Sequence, residues 1–361
     1  MPSKRKRTAS WILALPSVLA LACAEGEGGI PTYPIVAETA WVTVRAEDGV
    51  FSHFCEGDRL GLDALADDVA TTLQIPLDER LDASIVGWET LQEHCGGADG
   101  CYRTRSRRIL ASPFGLSHEI VHGVVHQEFE TPPQFLDEGL AFAYDAPAPR
   151  GGRSIANVIL SDEYPRDKTE AHFARWLLAQ EHGPAMVRRL LDGEDAEDAL
   201  GMSLIELEQV YVATSPELYE LDGFCGGPEV PGSSHQERDE TLRIDCNAPE
   251  TVSLMARGLA GFPTVRRTLT IDEPGMYSIL VTGPGAWRAT LAGCPRVTDP
   301  LPDVASYDHT VYVGMFSGVA GEILQPGQPR LLDLAAMRHR MEISTASDGE
   351  EITVEVRRVA E

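Results

Sequence analysis

Two short segments hold the residues best equipped for chemistry, His118-Glu119-Ile120-Val121-His122 and, downstream, Phe135-Leu136-Asp137-Glu138-Gly139-Leu140-Ala141. On a helix, residues four apart stand one turn above another on the same face, so the imidazoles of His118 and His122 can reach one cation. Glu119 falls about 100° around the helix from His118, beside such an ion, where a carboxylate can take a proton from water whose pKa the ion lowers. The cation this pattern suits is Zn2+, which in a catalytic site takes three protein ligands and keeps a fourth position open. Glu138 is the expected third ligand, with His118 and His122 as the other two and Glu119 as the catalytic base.

These side chains need two rigid carriers. Ser112 reads as the N-cap of the first helix and Pro113 as part of its first turn, while Leu116, Ile120, Val121, Val124 and Val125 form a broad apolar stripe. Thr131-Pro132-Pro133 reads as the cap and start of a second helix that runs to about Asp145 and stops before Pro147. His126 lies four residues beyond His122, but helical turns are about 5.4 Å apart and zinc to nitrogen bonds about 2.0 Å. Three stacked imidazoles therefore cannot share one ion, and Gly123 is wrongly placed to turn the chain back. His126 is read as a partly exposed residue complementing the negative end of the helix dipole. Asp137 is read as an acid favoured near a helix N-terminus, with orientation of an imidazole as the alternative. Tyr144, about 240° round from Glu138, reads as core.

The two segments resemble those of the gluzincin metallopeptidases, in which HExxH is followed on a second helix by a glutamate ligand. Phe135-Leu136-Asp137-Glu138-Gly139-Leu140-Ala141 is similar to the WLNEGFA segment of aminopeptidases in that clan, with Phe for Trp, Asp for Asn and Leu for Phe. A shorter connection and the later Ala171-His172-Phe173-Ala174-Arg175-Trp176-Leu177-Leu178 and Gly183-Pro184 bring it closer to the smaller peptidase-MA-like domains of secreted bacterial proteins. The resemblance spans roughly residues 80 to 212 and implies zinc-dependent hydrolysis of a peptide or protein substrate. It also implies a Tyr or His outside the motifs that stabilises the oxyanion, for which Tyr164 and His172 are the candidates. In such proteins an edge strand just before the motif helix binds extended substrate, and Arg108-Ile109-Leu110-Ala111 stands in that place.

The first residues carry an export pattern, Lys4-Arg5-Lys6-Arg7 followed by an apolar run from Trp11 to Ala22 that is too short to span a bilayer. Leu19-Ala20-Leu21-Ala22-Cys23 resembles a bacterial lipobox, which implies a lipidated Cys23 holding the protein on the cell envelope, at the outer membrane or facing the periplasm. Ordinary cleavage nearby is the alternative. Of seven cysteines, six then remain for disulfides. Cys95 with Cys101 is the first expected pair; Cys55, Cys225, Cys246 and Cys294 share two bonds in an order left open.

Formal net charge is −26, or −30 once the four basic residues of the leader are removed. So acidic a chain is a poor partner for nucleic acid or anionic lipid, both of which need clustered Lys and Arg.

The expected fold is α+β. A leader (1–22) and flexible tether (23–34) precede a zincin-like domain (35–221) of a small mixed sheet plus helices, and a C-terminal all-β sandwich domain (222–361) follows. Ile35 to Arg45, Ala83 to Trp88 and Arg108 to Ala111 read as strands, and Leu60 to Leu73 as an amphipathic helix. Helices dominate from Glu170 to about Ala213, ending with Ser203 to Val212. After the Gly, Pro and Ser-rich stretch Gly226 to Ser234, strands are expected at Thr268–Ile271, Met276–Val281, Trp287–Leu291, His309–Met315, Met341–Ser344 and Glu351–Arg357. Glu273-Pro274-Gly275-Met276-Tyr277 resembles the turn of small accessory domains found C-terminal to secreted bacterial peptidases.

Two functions from different classes fit these features: a zinc peptidase on the bacterial envelope, or a catalytically inactive peptidase-like lipoprotein with a binding or structural role. The intact Glu119 favours the first. A serine hydrolase has no Gly-x-Ser-x-Gly segment in its favour.

Overall fold

The computed structural model describes residues 31–51, 53–145, 148–161, 169–219, 230, 237–254, 262–284, 287–293, 322–325, 327–336 and 338–359. Within them the chain is α+β. The first part runs β1 (Ile35–Glu38), β2 (Val42–Ala46), α1 (Glu56–Leu73), β3 (Leu81–Ile85), α2 (Trp88–Cys95), β4 (Gly100–Arg103), β5 (Arg108–Ala111), α3 (Leu116–Val125) and α4 (Gln134–Asp145). It continues through β6 (Ala148–Pro149), α5 (Ile155–Ile159), α6 (Thr169–Leu178), α7 (Gly183–Leu191), α8 (Ala196–Leu200), α9 (Leu204–Thr214) and β7 (Leu218–Tyr219).

The span expected to be one strand from Ile35 is a hairpin. Thr39 Oγ1 accepts from the amide of Val42 at 2.9 Å, and Asp63 on α1 accepts from the amides of Ala40 and Trp41, each at 3.0 Å, so the chain reverses at Thr39–Trp41. The resulting sheet has the order β1-β2-β3-β5-β4, with β2, β3 and β5 parallel and β4 antiparallel to β5. The strand that begins at Ala83 in sequence expectation ends at Ile85, because Gly87 opens α2 at Trp88.

β5 is an inner strand. The expectation that Arg108–Ala111 forms the substrate-facing edge is therefore corrected: Gly100–Arg103 folds back antiparallel on it and takes the edge position. Cys95 at the end of α2 is bonded to Cys101 in β4, which fastens this edge strand to the preceding helix.

α3 follows β5 after a tight turn and starts later than sequence suggests. Ser112 Oγ accepts from the amides of Phe114 and Gly115 at 3.2 and 3.1 Å, a turn ahead of the helix, and the N-cap position belongs to Gly115. The apolar stripe of α3 is fully covered by β3, β5 and α1. α4 starts directly after Pro133, whose carbonyl accepts from the amides of Leu136 and Asp137, and ends at Asp145 as expected. It lies between α3 and α6. Close approach to α6 requires Gly139, where an added Cβ would stand 2.8 Å from the carbonyl oxygen of Glu170.

The later part comprises β8 (Glu237–Ile244), β9 (Thr251–Val252), β10 (Thr264–Thr270), β11 (Gly275–Thr282), β12 (Trp287–Gly293), β13 (Glu322–Leu324), β14 (Arg330–Leu334), β15 (Arg338–Thr345) and β16 (Glu350–Arg358). They form two antiparallel sheets, β13-β12-β15-β10-β9 and β14-β11-β16-β8. Alternate residues such as Leu269, Ile343 and Leu291 from one sheet and Ile279, Val354 and Ile244 from the other bury into one apolar cluster. The expected strand at His309–Met315 lies outside the described residues, as do Cys23, Cys225 and Cys294.

The two parts are fastened together at the start of α1. Cys55, its N-cap, is bonded to Cys246. The buried carboxylate of Asp58 accepts from the amide of Cys55 at 3.0 Å, from Ser253 Oγ at 2.5 Å and from the amide of Leu254 at 2.9 Å. Leu254 completes the core of the first part.

Candidate metal centre

α3 and α4 bring three of the expected residues together. His118 Nε2 and His122 Nε2 stand 3.2 Å apart, and Glu138 Oε2 lies 3.4 Å from the first and 3.9 Å from the second. Around a four-coordinate ion with bonds of about 2.0–2.1 Å, ligand atoms are separated by about 3.3–3.4 Å. The donor set is close to what such a cation needs, and two imidazole nitrogens with one carboxylate oxygen are donors able to hold a divalent metal ion. His118 is held edge-on against Phe142, one turn beyond Glu138 on α4, with ring centroids 4.4 Å apart.

Glu119 is buried beside these donors. Burial raises its carboxyl pKa; His118 and His122 oppose the rise, whereas Glu138 and Asp137 add to it. Over it passes the start of β4, so close that a Cβ on Gly100 would lie 2.6 Å from Glu119 Cγ and 2.8 Å from Oε1. Only glycine leaves the carboxyl group its place there. Gly100 escaped sequence reasoning because nothing local marks it; its role depends on which strand becomes the edge.

Asp137 proves to be more than a favourable charge at a helix start. Its Oδ1 lies 2.9 Å from His122 Nδ1, and its Oδ2 lies 3.2 Å from His126 Nε2. A tautomer of His122 protonated at Nδ1 leaves Nε2 free for an ion. Burial disfavours the imidazolium of His122, but Asp137, Glu119 and Glu138 outweigh it and hold its pKa up to about 10 in the absence of metal. Burial likewise opposes the Asp137 carboxylate, yet His122 and His126 keep its pKa well below the usual range.

His126 sits partly buried at the helix end, as expected, capping α3 with φ −75° and ψ 0°. What the sequence did not show is that it also pairs with Asp137 and stacks on Tyr102 of β4 at a centroid distance of 5.1 Å. His122, His126 and Asp137 form a second grouping of metal-capable donors. They are better described as an orienting array, because His126 Nε2 hydrogen-bonds Asp137 Oδ2, His122 Nδ1 makes an ion-pair contact with Oδ1, and His122 Nε2 belongs to the first group.

His172 does not join the site. It is fully buried in α6, with Nδ1 2.6 Å from the hydroxyl of Tyr211 and Nε2 2.8 Å from the carbonyl of Pro216. Both ring nitrogens are committed, so the expectation that it stabilises an oxyanion is withdrawn. Burial pushes its pKa down to about 4. The other candidate, Tyr164, lies outside the described residues. Tyr144 packs against the core as expected.

In comparisons with known proteins, no protein-family model and no curated protein matches this chain.

Proposed function

We propose that this chain is a zinc-dependent peptidase of the gluzincin kind, with His118, His122 and Glu138 as the zinc ligands and Glu119 as general base. The observation that carries this reading is the convergence of two imidazole nitrogens and one carboxylate oxygen within 3.2–3.9 Å of one another, with a separate buried carboxylate alongside. Two imidazoles and one carboxylate favour zinc over magnesium or calcium, which prefer all-oxygen cages. When bound, zinc supplies Lewis acidity that makes water a competent nucleophile near neutral pH.

The chain's own residues do the rest. Glu119, its pKa raised by burial, takes a proton from the attacking water and passes it to the departing amine nitrogen. Asp137 holds His122 in the ligating orientation. β4, at the edge of its sheet and directly over Glu119, offers backbone groups to an extended peptide. With His172 committed elsewhere, Tyr164 is the residue assigned to the oxyanion.

The first part is read as a zincin-like domain and the later two sheets as a β-sandwich accessory. We further read Cys23 as lipid-modified, placing the protein on the bacterial envelope; no described helix is long and apolar enough to cross a membrane.

Elemental analysis of the purified chain and cleavage of an unfolded protein test the reading together. One zinc per chain is expected, with hydrolysis abolished by a chelator and by Glu119→Gln. Undiminished hydrolysis by Glu119→Gln would overturn the assigned base. Full zinc occupancy without cleavage of any peptide in a diverse library would identify the inactive, binding protein instead.

A further inference from the structure

Three imidazoles stand one turn apart along α3 and its cap, and two consecutive carboxylates of α4 divide them. Glu138 faces His118 and His122, while Asp137 faces His122 and His126. We propose that His126 is a positioning residue of the metal centre, which pins the shared carboxylate of Asp137 so that His122 presents its Nε2 to the cation. The proposal deepens the zinc reading and depends on it.

A carboxylate with no hydrogen-bond partner can swing about its side-chain torsions toward water, whereas Asp137 is tethered through Oδ2, which is hydrogen-bonded to His126 Nε2 at 3.2 Å. That tether keeps Oδ1 2.9 Å from His122 Nδ1 in an ion-pair contact. His126 donates from Nε2 to Asp137, and the nearby carboxylate oxygen favours a proton on Nδ1 of His122, which leaves Nε2 to the cation. The His126 backbone amide donates to the carbonyl of His122 at 2.9 Å, closing the helix, and Tyr102 covers the imidazole face with an interplanar angle of 29°. Tyr102 and Gly100 share one face of the edge strand, two residues apart. The strand read as the peptide-binding edge therefore touches both the general base, through Gly100, and the array behind His122, through Tyr102.

The test is metal affinity of the full chain, measured by zinc competition with a chromophoric chelator, together with the visible spectrum of the cobalt-loaded protein. His126→Leu removes the donor to Asp137 and is expected to weaken zinc binding about ten- to a hundredfold, the usual range for such partners, and to shift the cobalt bands. His126→Gln, whose amide can still reach Asp137, restores most of the affinity and the parent spectrum. His126→Asn, too short to reach, does not, and this Gln and Asn pair decides the matter if the leucine variant fails to fold. Parent-like affinity and spectrum in His126→Leu, or equal affinities for Gln and Asn, would overturn the positioning role alone. A parent chain that takes up neither zinc nor cobalt would overturn the metal centre as well.

Discussion

Gly100 and Glu119 are in mutual contact across the gap between the edge strand β4 and helix α3, with no room for a methyl group between them. Gly100→Ala must displace the Glu119 carboxyl group, the strand, or both. Misplacing a catalytic group by about 1 Å can cost about 10²-fold in rate. We therefore expect kcat/KM on an unfolded protein substrate to fall by about 10²-fold while zinc stoichiometry stays at the parent value. Parent-like kinetics would show that β4 does not constrain the base.

Gly139 sets the distance between α4 and α6 in the same way. Gly139→Ala drives a methyl toward the Glu170 carbonyl, which is backbone and cannot rotate aside. Overpacking of this kind costs about 1–3 kcal/mol. Urea unfolding should report that loss, and because Glu138 rides on α4, zinc affinity should fall with it.

His172 predicts a pH-dependent stability. In the unfolded chain its imidazole takes a proton near 6.5, whereas in the folded protein it resists until about 4. The folded state is thus favoured above pH 6.5, and the contribution is lost as pH falls through that window, because the unfolded state binds the proton first. The full shift is worth at most about 3 kcal/mol. Denaturant unfolding between pH 7 and pH 4 should show the decline, and His172→Gln should flatten that part of the profile. An identical slope in the variant would place the dependence on other groups.

The two disulfides should differ in weight. Cys55–Cys246 joins residues 191 apart, and Cys95–Cys101 residues 6 apart. Loop-closure entropy gives upper estimates of about 5 and about 2 kcal/mol respectively. Paired Cys→Ser substitutions measured by calorimetry should rank them in that order. The Asp58 contacts to Ser253 and Leu254 are expected to keep the two parts associated even without the longer bond. Separation of the parts in the Cys55→Ser/Cys246→Ser variant, seen by limited proteolysis, would contradict this.

What the sequence determined by itself was local: four-residue spacing that stacks His118 on His122, a second helix ending at Asp145 that carries Glu138, the apolar stripe of α3, and the alternation that marks most later strands. These follow from helix and strand periodicity, which any short window contains. The tertiary structure decided the rest. Which strand is the edge depends on Gly100–Arg103 folding back antiparallel on Arg108–Ala111, which made β5 an inner strand and put β4 at the edge. The partner of His126 depends on how α4 is rotated against α3, and no window along either helix records that angle. His172 lost its candidacy through Tyr211 and Pro216, some forty residues away in sequence. Each of these outcomes is a pairing between separate elements, fixed by how they pack together and not by the conformational preference of any residue in them.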